Sequence, residues 1–342
     1  MTNKIVAYKV LIVNEIHSQL IEEKGENKMK KLGLLLIAFM LVLSACGKTE
    51  EKSTKNTEDK ASEESYTVTH AMGETTIKGQ PKRVVVLTNE GVEAVLAMGI
   101  TPVGAVEAFT GETWYDHTAD QLKDTKPVGN ESEPSLEAIA ALKPDLIIGN
   151  KMRQEKVYDQ LNEIAPTVFA ETLRGDWQEN FKLYSKAINK EDVGQEKLDD
   201  YNNRIEELKT TFGDKTQQKV SMVRFMAGDV RIYHKDSFSG VILEQLGFAR
   251  PEEQDLPDFA EKGVTKERIP AMDGDIMFYF TYETGDKEAT KLEDEWINDP
   301  LFQNLEVAKA NKVFKVSDTI WNTAGGYLAA DLMLDDLETY FK

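Results

Sequence analysis

The sequence predicts an α/β protein of two lobes, in which each lobe has a small, mostly parallel sheet flanked by helices and one long, rigid α-helix joins the lobes. Three observations predict this fold. Short β-rich runs alternate with helical segments in residues 66–190, the alternation returns in residues 214–342, and residues 191–213 between them form one amphipathic pattern. Strands separated by helices are typical of a parallel sheet, because each crossover between parallel strands needs a long connection.

The N-terminal lobe is expected over residues 66–190. Its first strand is predicted at Arg83–Leu87, whose last four residues are aliphatic, and a helix follows at Gly91–Met98. A second helix, Ser135–Leu142, is expected to end at Lys143-Pro144, since proline cannot continue a helix. The other predicted elements are the strands Pro102–Val106, Lys126–Gly129, Leu146–Gly149 and Thr167–Ala170 and the helix Glu155–Ile164.

The segment 191–213 predicts the helix that joins the lobes. Apolar residues recur there at helical spacing, with charged residues between them and no proline: Leu198, Tyr201, Ile205, Leu208 and Phe212. About twenty residues of helix extend roughly 30 Å. A helix of this kind is expected to permit only a small closure of the lobes around a ligand.

The C-terminal lobe is expected over residues 214–342. It is predicted to start with a hairpin, in which Val220–Phe225 and Arg231–His234 flank a turn at Ala227–Asp229. The other predicted elements are the helices Gly240–Leu246, Lys266–Ala271, Leu301–Ala308 and Gly326–Tyr340 and the strands Asp275–Phe280 and Lys312–Val316.

The N-terminal region predicts export and a lipid anchor. Lys30 and Lys31 precede the apolar run Leu32–Leu43, and small residues then lead to Cys46, the only cysteine. This arrangement resembles the lipobox of bacterial lipoproteins, so we expect residues 1–45 to be a signal peptide and Cys46 to be lipidated. Because a signal peptide starts close to its charged residues, we interpret residues 1–28 as the product of a start codon placed too early, ahead of Met29.

Composition limits what the exported part can bind. Residues 46–65 are almost entirely polar and are expected to form a disordered tether behind the lipidated cysteine. The formal net charge of the chain is −19, which argues against binding to nucleic acid or to anionic lipid. The lipid on Cys46 is therefore the only membrane contact that we expect, on the outer face of the cell membrane, and we expect a monomer.

Three motifs resemble those of a known family. Pro81–Val85 resembles the PxRVV start of the class III, or helical-backbone, substrate-binding proteins of ABC transporters, and Ser135–Ile147 is similar to their SLExIxxLKPDLI block. Ile164–Val168 is a further shared element. The chain therefore resembles the iron-siderophore-binding lipoproteins of this family, over nearly everything from Tyr66 to Lys342.

The resemblance implies a receptor that binds a ferric siderophore between its lobes and delivers it to an ABC permease driven by a cytoplasmic ATPase. It also implies one glutamate on each lobe that docks onto the permease, and these are matched by Glu137 and Glu267. Trp321 resembles an aromatic cleft residue of hydroxamate-siderophore members. A haem- or cobalamin-binding receptor of the same fold remains the alternative, because a single Tyr or His can ligate haem.

The ligand site is expected beyond the carboxyl ends of the strands, where open α/β sheets bind ligands. Arg153 and Arg174 lie in such loops, and Arg224 and Arg231 lie on the adjacent hairpin. Guanidinium groups bind carboxylates bidentately, which favours a citrate-based hydroxamate or carboxylate siderophore. Aromatic residues in the same regions are expected to pack on the ligand: Trp114, Trp177, Phe238, Tyr282 and Trp321.

A bare metal ion and an enzymatic reaction are not expected. After Cys46 the only histidines are His70, His117 and His234, and they have no spacing typical of metal ligands. The sequence has no G-x-S-x-G, Walker, G-x-G-x-x-G or H-E-x-x-H motif. We therefore predict a binding protein without a cofactor, whose ligand brings its own iron.

Overall fold

The structure, a computed structural model, describes residues 64–342. The predicted signal peptide, Cys46 and almost the whole predicted tether lie outside the described residues. Among the residues that are described, no helix is both long and apolar enough to cross a membrane.

The described chain begins with a hairpin that the sequence analysis did not predict. Strands β1 (Ser65–His70) and β2 (Gly73–Lys78) pair antiparallel. Gly73 has φ +121°, a backbone conformation that other residues rarely adopt. The hydroxyl of Tyr66 donates to the carbonyl of Ala187 at 2.8 Å and so ties the hairpin to the N-terminal lobe.

The N-terminal lobe contains a five-stranded sheet in which every neighbouring pair is parallel. In spatial order β5-β4-β3-β6-β7, the central strand β3 lies between β4 and β6. Because helices cover both faces, the central strands are fully buried, and they are apolar except for Asn150 at the end of β6. The strands are β3 (Val84–Val86), β4 (Gly104–Ala105), β5 (Lys126–Pro127), β6 (Leu146–Asn150) and β7 (Thr167–Ala170).

Six helices flank this sheet, and polar caps fix the starts of three of them. Thr88 Oγ1 accepts from the N–H of Gly91 at 3.0 Å, Ser135 Oγ from Ala138 at 3.3 Å and Asn150 Oδ1 from Met152 at 2.8 Å. The helices are α1 (Asn89–Ala97), α2 (Asp116–Leu122), α3 (Leu136–Ala141), α4 (Lys151–Gln154), α5 (Tyr158–Ile164) and α6 (Trp177–Ala187). The sequence analysis missed α2, α4 and α6, and it extended α5 over a short 3-10 turn at Glu155–Val157.

The long helix α7 covers Glu191–Phe212, which is 22 residues. At 1.5 Å per residue this is about 33 Å. The five apolar positions predicted to face inward are all buried: Leu198, Tyr201, Ile205, Leu208 and Phe212. The prediction of one long amphipathic helix between two α/β lobes is therefore confirmed.

The C-terminal lobe contains a second five-stranded sheet, in the order β10-β9-β8-β11-β12. The predicted hairpin is present, since β8 and β9 pair antiparallel, and β10 pairs antiparallel with β9. On the other side, β11 and β12 continue parallel to β8. The strands are β8 (Val220–Met226), β9 (Asp229–Tyr233), β10 (Ala260–Glu261), β11 (Ile276–Tyr282) and β12 (Val313–Lys315).

The helices of this lobe depart from the prediction in three places. Lys266–Met272 is a 3-10 helix, and Pro270 within it has no N–H to donate to an α-helical ladder. The predicted helix Leu301–Ala308 is two short helices. The α-helices are α8 (Phe238–Gln245), α9 (Glu288–Ile297), α10 (Pro300–Gln303), α11 (Glu306–Lys309) and α12 (Tyr327–Phe341), of which α9 was missed.

The last helix, α12, packs against α1 of the N-terminal lobe. Glu93 on α1 accepts from the N–H of Ala329 in the first turn of α12, at 2.9 Å. The largest apolar cluster is continuous across both lobes, with Val86, Trp177 and Phe278 among its buried members. One face of each sheet therefore packs into this shared cluster, and the opposite faces pack into two smaller, separate clusters.

Candidate functional site

A cavity of about 370 Å³ lies where the two lobes meet. Residues that follow N-lobe strands form one wall, and residues of the C-terminal sheet and its loops form the other. The lining residues are Glu90, Phe109, Glu131, Met152, Arg153, Leu173, Arg174, Arg224, Met226, Arg231, Phe238, Phe259, Lys262, Tyr282, Asn322, Thr323, Ala324 and Gly325. The wall residues of the N-terminal lobe come after the carboxyl ends of its parallel strands, where an open α/β sheet binds ligands.

Arg224 is the most buried of the cavity's cations, at 6% exposure. Its Nε and Nη2 donate to the two oxygens of Asp318, at 2.6 and 2.9 Å, and its Nη1 donates to the hydroxyl of Tyr233 at 3.2 Å. Burial lowers the pKa of Arg224, but the charges and hydrogen bonds of Asp318 and Tyr233 together offset this and hold it above its ordinary value. The guanidinium also lies 5.0 Å from the ring of Tyr282, so it is charged and held in place.

Arg231 lies beside Arg224, because the two residues are partners in the β8–β9 register. Arg231 Nε donates to Asp229 Oδ2 at 2.7 Å, so this second arginine also has an aspartate partner. The hairpin thus directs two guanidinium groups at the cavity, each with its own carboxylate.

Arg153, on α4, pairs with a buried acid of the N-lobe wall. Its Nε lies 3.5 Å from Glu131 Oε2. The other oxygen of Glu131 accepts from the backbone N–H and the side-chain amide of Asn89, at 2.7 and 3.0 Å. Burial raises the pKa of Glu131, while these hydrogen bonds and Arg153 lower it. Glu131 therefore joins the start of α1 to Arg153.

Arg174 and Lys262 differ from the other cations in lacking a carboxylate partner. The guanidinium of Arg174 lies 4.1 Å from the centre of the Phe259 ring, and Lys262 Nζ lies 5.6 Å from the same ring. Within residues 64–342, neither side chain makes an ion pair with an Asp or Glu. Phe259 thus contacts two cations, one from each lobe, and neither is held by an ion pair to a described carboxylate.

A hydrogen bond crosses the cavity between the lobes. The hydroxyl of Tyr282, at the end of β11, donates to the carbonyl of Phe109 at 3.1 Å. Phe238 contributes a further aromatic surface at the start of α8, where Ser237 caps the helix by accepting from Gly240 at 3.1 Å. The cavity therefore combines cationic groups with apolar surface, which suits an anionic ligand with a partly apolar body.

The structure brings six of the nine predicted ligand residues to the cavity: Arg153, Arg174, Arg224, Arg231, Phe238 and Tyr282. It does not bring the three predicted tryptophans there. Trp177 is buried, with its ring 5.0 Å from that of Tyr201, and Trp321 is buried with its Nε1 donating to Asp336 at 2.9 Å. Trp114 is half-buried against the core and does not line the cavity.

Several lining residues were missed in the sequence analysis. Glu90 lies in the first turn of α1 and Phe109 in the loop between β4 and α2, and nothing in the sequence singled them out. Phe259 and Lys262 lie beside β10, a two-residue strand without an apolar run, so the rule had no strand end to apply there. Glu131, the acid that pairs with Arg153, follows β5, which is a strand of only two residues.

The two residues matched to permease docking are exposed and lie away from the cavity lining. Glu137 is in the first turn of α3, and Glu267 is in the first turn of the 3-10 helix Lys266–Met272. A hydrogen bond from Thr265 lowers the pKa of Glu267, so this carboxylate is charged.

Metal-binding side chains do not cluster in the described part of the chain, where no group of three or more His, Cys, Asp or Glu could hold a metal ion. His117 is paired with Glu93, and His234 with Asp258, each at 2.5 Å. His70 Nε2 lies 2.9 Å from Thr75 Oγ1. Each of these histidines thus has a protein partner.

Comparison with known proteins identifies the family. A protein-family model with the description "Periplasmic binding protein" matches residues 84–319. The chain belongs to the periplasmic binding protein family. This confirms the resemblance seen in the sequence motifs, and because this family and the relatives below are substrate-binding proteins, the chain is not an enzyme.

Relatives of this periplasmic binding protein match it over most of their length. The probable siderophore-binding lipoprotein YfiY of Bacillus subtilis is 50% identical over 324 residues, which is 92% of this chain and 99% of YfiY. The Fe(3+)-citrate-binding protein YfmC of the same organism is 30% identical over 321 residues, 91% of this chain and 96% of YfmC. The crystal structure of Staphylococcus aureus SirA complexed with staphyloferrin B is 36% identical, with a TM-score of 0.75, and the match covers 80% of this chain and 97% of SirA.

Proposed function

We propose that this protein is a lipid-anchored receptor that binds a ferric siderophore of the citrate type in the interlobe cavity and delivers it to an ABC permease for iron uptake. The observation that carries the proposal is the cavity lining, in which four arginines and one lysine surround aromatic side chains. Relatives named as a siderophore-binding lipoprotein and as a Fe(3+)-citrate-binding protein support the same function.

The charge of the cavity is informative because the chain as a whole is acidic, with a formal net charge of −19. Long-range attraction therefore does not bring an anion to this protein, and affinity must come from contacts inside the cavity. Guanidinium groups bind carboxylate oxygens in a bidentate geometry and stay charged when partly desolvated. A ferric chelate that presents carboxylate oxygens fits these groups better than a neutral ligand does.

The lipid on Cys46 would keep the receptor on the outer face of the cell membrane, close to its permease. The name of YfiY as a lipoprotein supports this location. In this function the iron is cargo inside the chelate, and the protein needs no resident cofactor. The protein would act as a monomer whose two lobes both contact the ligand.

A fluorescence titration of residues 64–342 tests the ligand class. The ring of Trp177 lies 6.3 Å from that of Phe238, which lines the cavity, so a bound ferric chelate should quench tryptophan emission. We expect saturable quenching by ferric citrate or a citrate-hydroxamate chelate, and loss of it in Arg153→Ala. Arg83→Ala, which removes an exposed arginine outside the cavity lining, is the control. Quenching by haem alone would keep the fold and reject the proposed ligand.

Docking onto the permease is tested separately from ligand binding. We propose that Glu137 and Glu267 contact cationic groups of the permease, since both are exposed and neither lines the cavity. The double variant Glu137→Ala with Glu267→Ala should abolish iron uptake by cells while the affinity for the chelate stays unchanged. Glu163→Ala with Glu179→Ala removes two other exposed carboxylates and serves as the control. Normal uptake by the first double variant would reject the docking proposal.

A further inference from the structure

Glu90 lines a cavity that otherwise suits an anion, and it is 5% exposed. It lies in the first turn of α1, directly after the central strand of the N-terminal sheet. No Lys, Arg or His that the structure describes makes an ion pair with it. An ionised carboxylate in this position would repel the carboxylates of a chelate, so the presence of Glu90 calls for a physical explanation.

The contacts of Glu90 leave one of its oxygens available. Oε1 accepts from Asn180 Nδ2 at 2.8 Å, and the same amide nitrogen also donates to the carbonyl of Thr172 at 2.8 Å. Asn180 is itself 5% exposed, so this amide is fixed. Oε2 has no hydrogen-bond partner among the described residues. Unlike the fully buried polar atoms that lack partners, it keeps some exposure to solvent. It is thus the oxygen that can meet a ligand.

The surroundings of Glu90 disfavour its ionised form. Burial raises the pKa of Glu90 well above its ordinary value, and the hydrogen bond from Asn180 lowers it by less. Three carboxylates nearby raise it further: Glu131, Glu93 and Asp176. From α6, the hydroxyl of Tyr184 also faces this group, and its own pKa is raised by burial and by Glu90.

The partners of these neighbouring groups do not neutralise Glu90. Glu131 is paired with Arg153 and Glu93 with His117, so these nearby basic side chains already have carboxylate partners. On the side of α12, the backbone at Gly326 approaches the carbonyl of Glu90 and brings no charge. Protonation of Glu90 is the remaining way to bury this side chain without an unpaired charge.

We propose that Glu90 determines the specificity of the cavity by holding its proton and donating it, through Oε2, in a hydrogen bond to an anionic oxygen of the ligand. This inference rests on the proposed function, because it needs an anionic chelate. A protonated carboxyl is a donor, and its hydrogen bond to a charged acceptor is of the stronger kind. The cavity would therefore select a ligand with an anionic oxygen on the N-lobe side and disfavour one that places an ammonium group there.

The decisive experiment compares wild type with Glu90→Gln in titrations with ferric citrate between about pH 5.5 and 8.5. Glutamine has nearly the same shape and keeps a donor but cannot titrate. We expect the variant to bind within about threefold of wild type at low pH. We also expect the affinity of the wild type to fall as the pH rises through the pKa of Glu90, and that of the variant not to share this fall. Glu179→Gln, an exposed carboxylate on α6, should follow wild type.

Two outcomes would overturn the inference. A loss of more than about tenfold in Glu90→Gln at every pH would mean that an ionised carboxylate contributes to binding, as it would for a ligand with an ammonium group. Identical pH profiles for wild type and variant would mean that Glu90 does not titrate on binding. If wild type does not bind ferric citrate or any other ferric chelate, the proposed function itself fails.

Unfolding of the ligand-free protein tests the proton on Glu90 without any ligand. Because its pKa is higher in the folded state than in the unfolded chain, Glu90 destabilises the fold progressively as the pH rises above its ordinary pKa of 4.5. The difference in Tm between Glu90→Gln and wild type should therefore grow in favour of the variant as the pH rises from about 4.5. A difference that is independent of pH would contradict the inference.

Discussion

The Arg224–Asp318 pair and the Arg174–Lys262 group are both cationic parts of one cavity, but they differ in what balances their charge. Arg224 makes two hydrogen bonds to a buried aspartate, and both side chains are less than 10% exposed. Arg174 and Lys262 meet the face of Phe259 instead, and no described carboxylate pairs with either. The first group is complete without a ligand, and the second is not.

This difference indicates that stability and affinity depend on different cations. Breaking a buried ion pair leaves an uncompensated charge in the interior, which strongly destabilises a fold. A cation on an aromatic face gains less, since cation–π contacts at exposed sites are worth about 0.5–1 kcal/mol. Arg224 should therefore matter first to folding, whereas Arg174 and Lys262 should matter mainly to the ligand.

The largest expected effect is that of Arg224→Ala on stability. Its removal leaves Asp318 buried without its partner, so the free energy of unfolding should fall by about 3–5 kcal/mol. Urea denaturation followed by circular dichroism measures this change. Arg224→Met with Asp318→Asn removes both charges, and it should recover most of the stability without recovering affinity for the chelate. A single variant as stable as wild type would remove the distinction between the two groups.

The next largest effect is that of Arg174→Gln or Lys262→Gln on affinity. Hydrogen bonds to charged groups contribute about 1.5–3 kcal/mol, so each variant should bind ferric citrate about tenfold or more weakly. Its stability should change by less than about 0.5 kcal/mol, because no buried carboxylate loses a partner. Isothermal titration calorimetry and denaturation measure the two quantities on the same samples.

Arg83→Gln is the matched control for this prediction, since it removes an exposed arginine outside the cavity lining. It should leave the affinity for ferric citrate unchanged. Equal affinity in wild type, Arg174→Gln and Lys262→Gln would show that these two cations do not contact the ligand. The difference between the Arg224–Asp318 pair and the Arg174–Lys262 group would then have no role in binding.

A smaller effect is expected from Tyr282→Phe, at the residue whose ring contacts Arg224. The variant keeps the ring beneath Arg224 but loses the hydrogen bond from the hydroxyl to the carbonyl of Phe109. One neutral hydrogen bond contributes about 0.5–1.5 kcal/mol, so dissociation of the chelate should be a few-fold faster. Stopped-flow displacement measures this rate. An unchanged rate would mean that the contact between the lobes does not retain the ligand.

The smallest expected effect is that of Phe259→Leu. Leucine keeps an apolar side chain there but removes the aromatic face that holds Arg174 and Lys262. A cation–π contact of about 0.5–1 kcal/mol corresponds to a two- to fivefold loss of affinity. The same calorimetric titration measures it, with Phe259→Tyr expected to behave like wild type. A loss in Phe259→Tyr as large as in Phe259→Leu would point to shape rather than to the aromatic face.

Periodicity in the sequence predicted the parts of the fold whose burial is regular. The strand Val84–Val86 and the helix α7 have continuous or helically spaced apolar residues, and both are present as expected. The hairpin β1–β2 was missed because only Val68, Thr75 and Ile77 are buried in it and the rest is polar. The lobes and the long helix were therefore predictable, and weakly apolar elements were not.

The sequence predicted the position of the candidate site only through the loops that follow the predicted strands. Arg153 and Arg174 follow N-lobe strands and do line the cavity. Position in a loop does not determine where a side chain points, however, so Trp177 and Trp321 were expected beside the ligand and lie in the core. Phe259 and Lys262 flank β10 in the C-terminal lobe, far from Arg174 in the sequence, and only tertiary packing brings them to it.

The position of α12 has a consequence for the order in which the protein can be completed. Residues before 319 contain both sheets and every cavity arginine, but Asn322–Gly325, which line the cavity, and Ala329, which bonds to Glu93, come later in the chain. Both lobes and the last segment of the chain thus contribute to one cavity. The binding site can be complete only after the end of the chain has packed back against α1 of the N-terminal lobe.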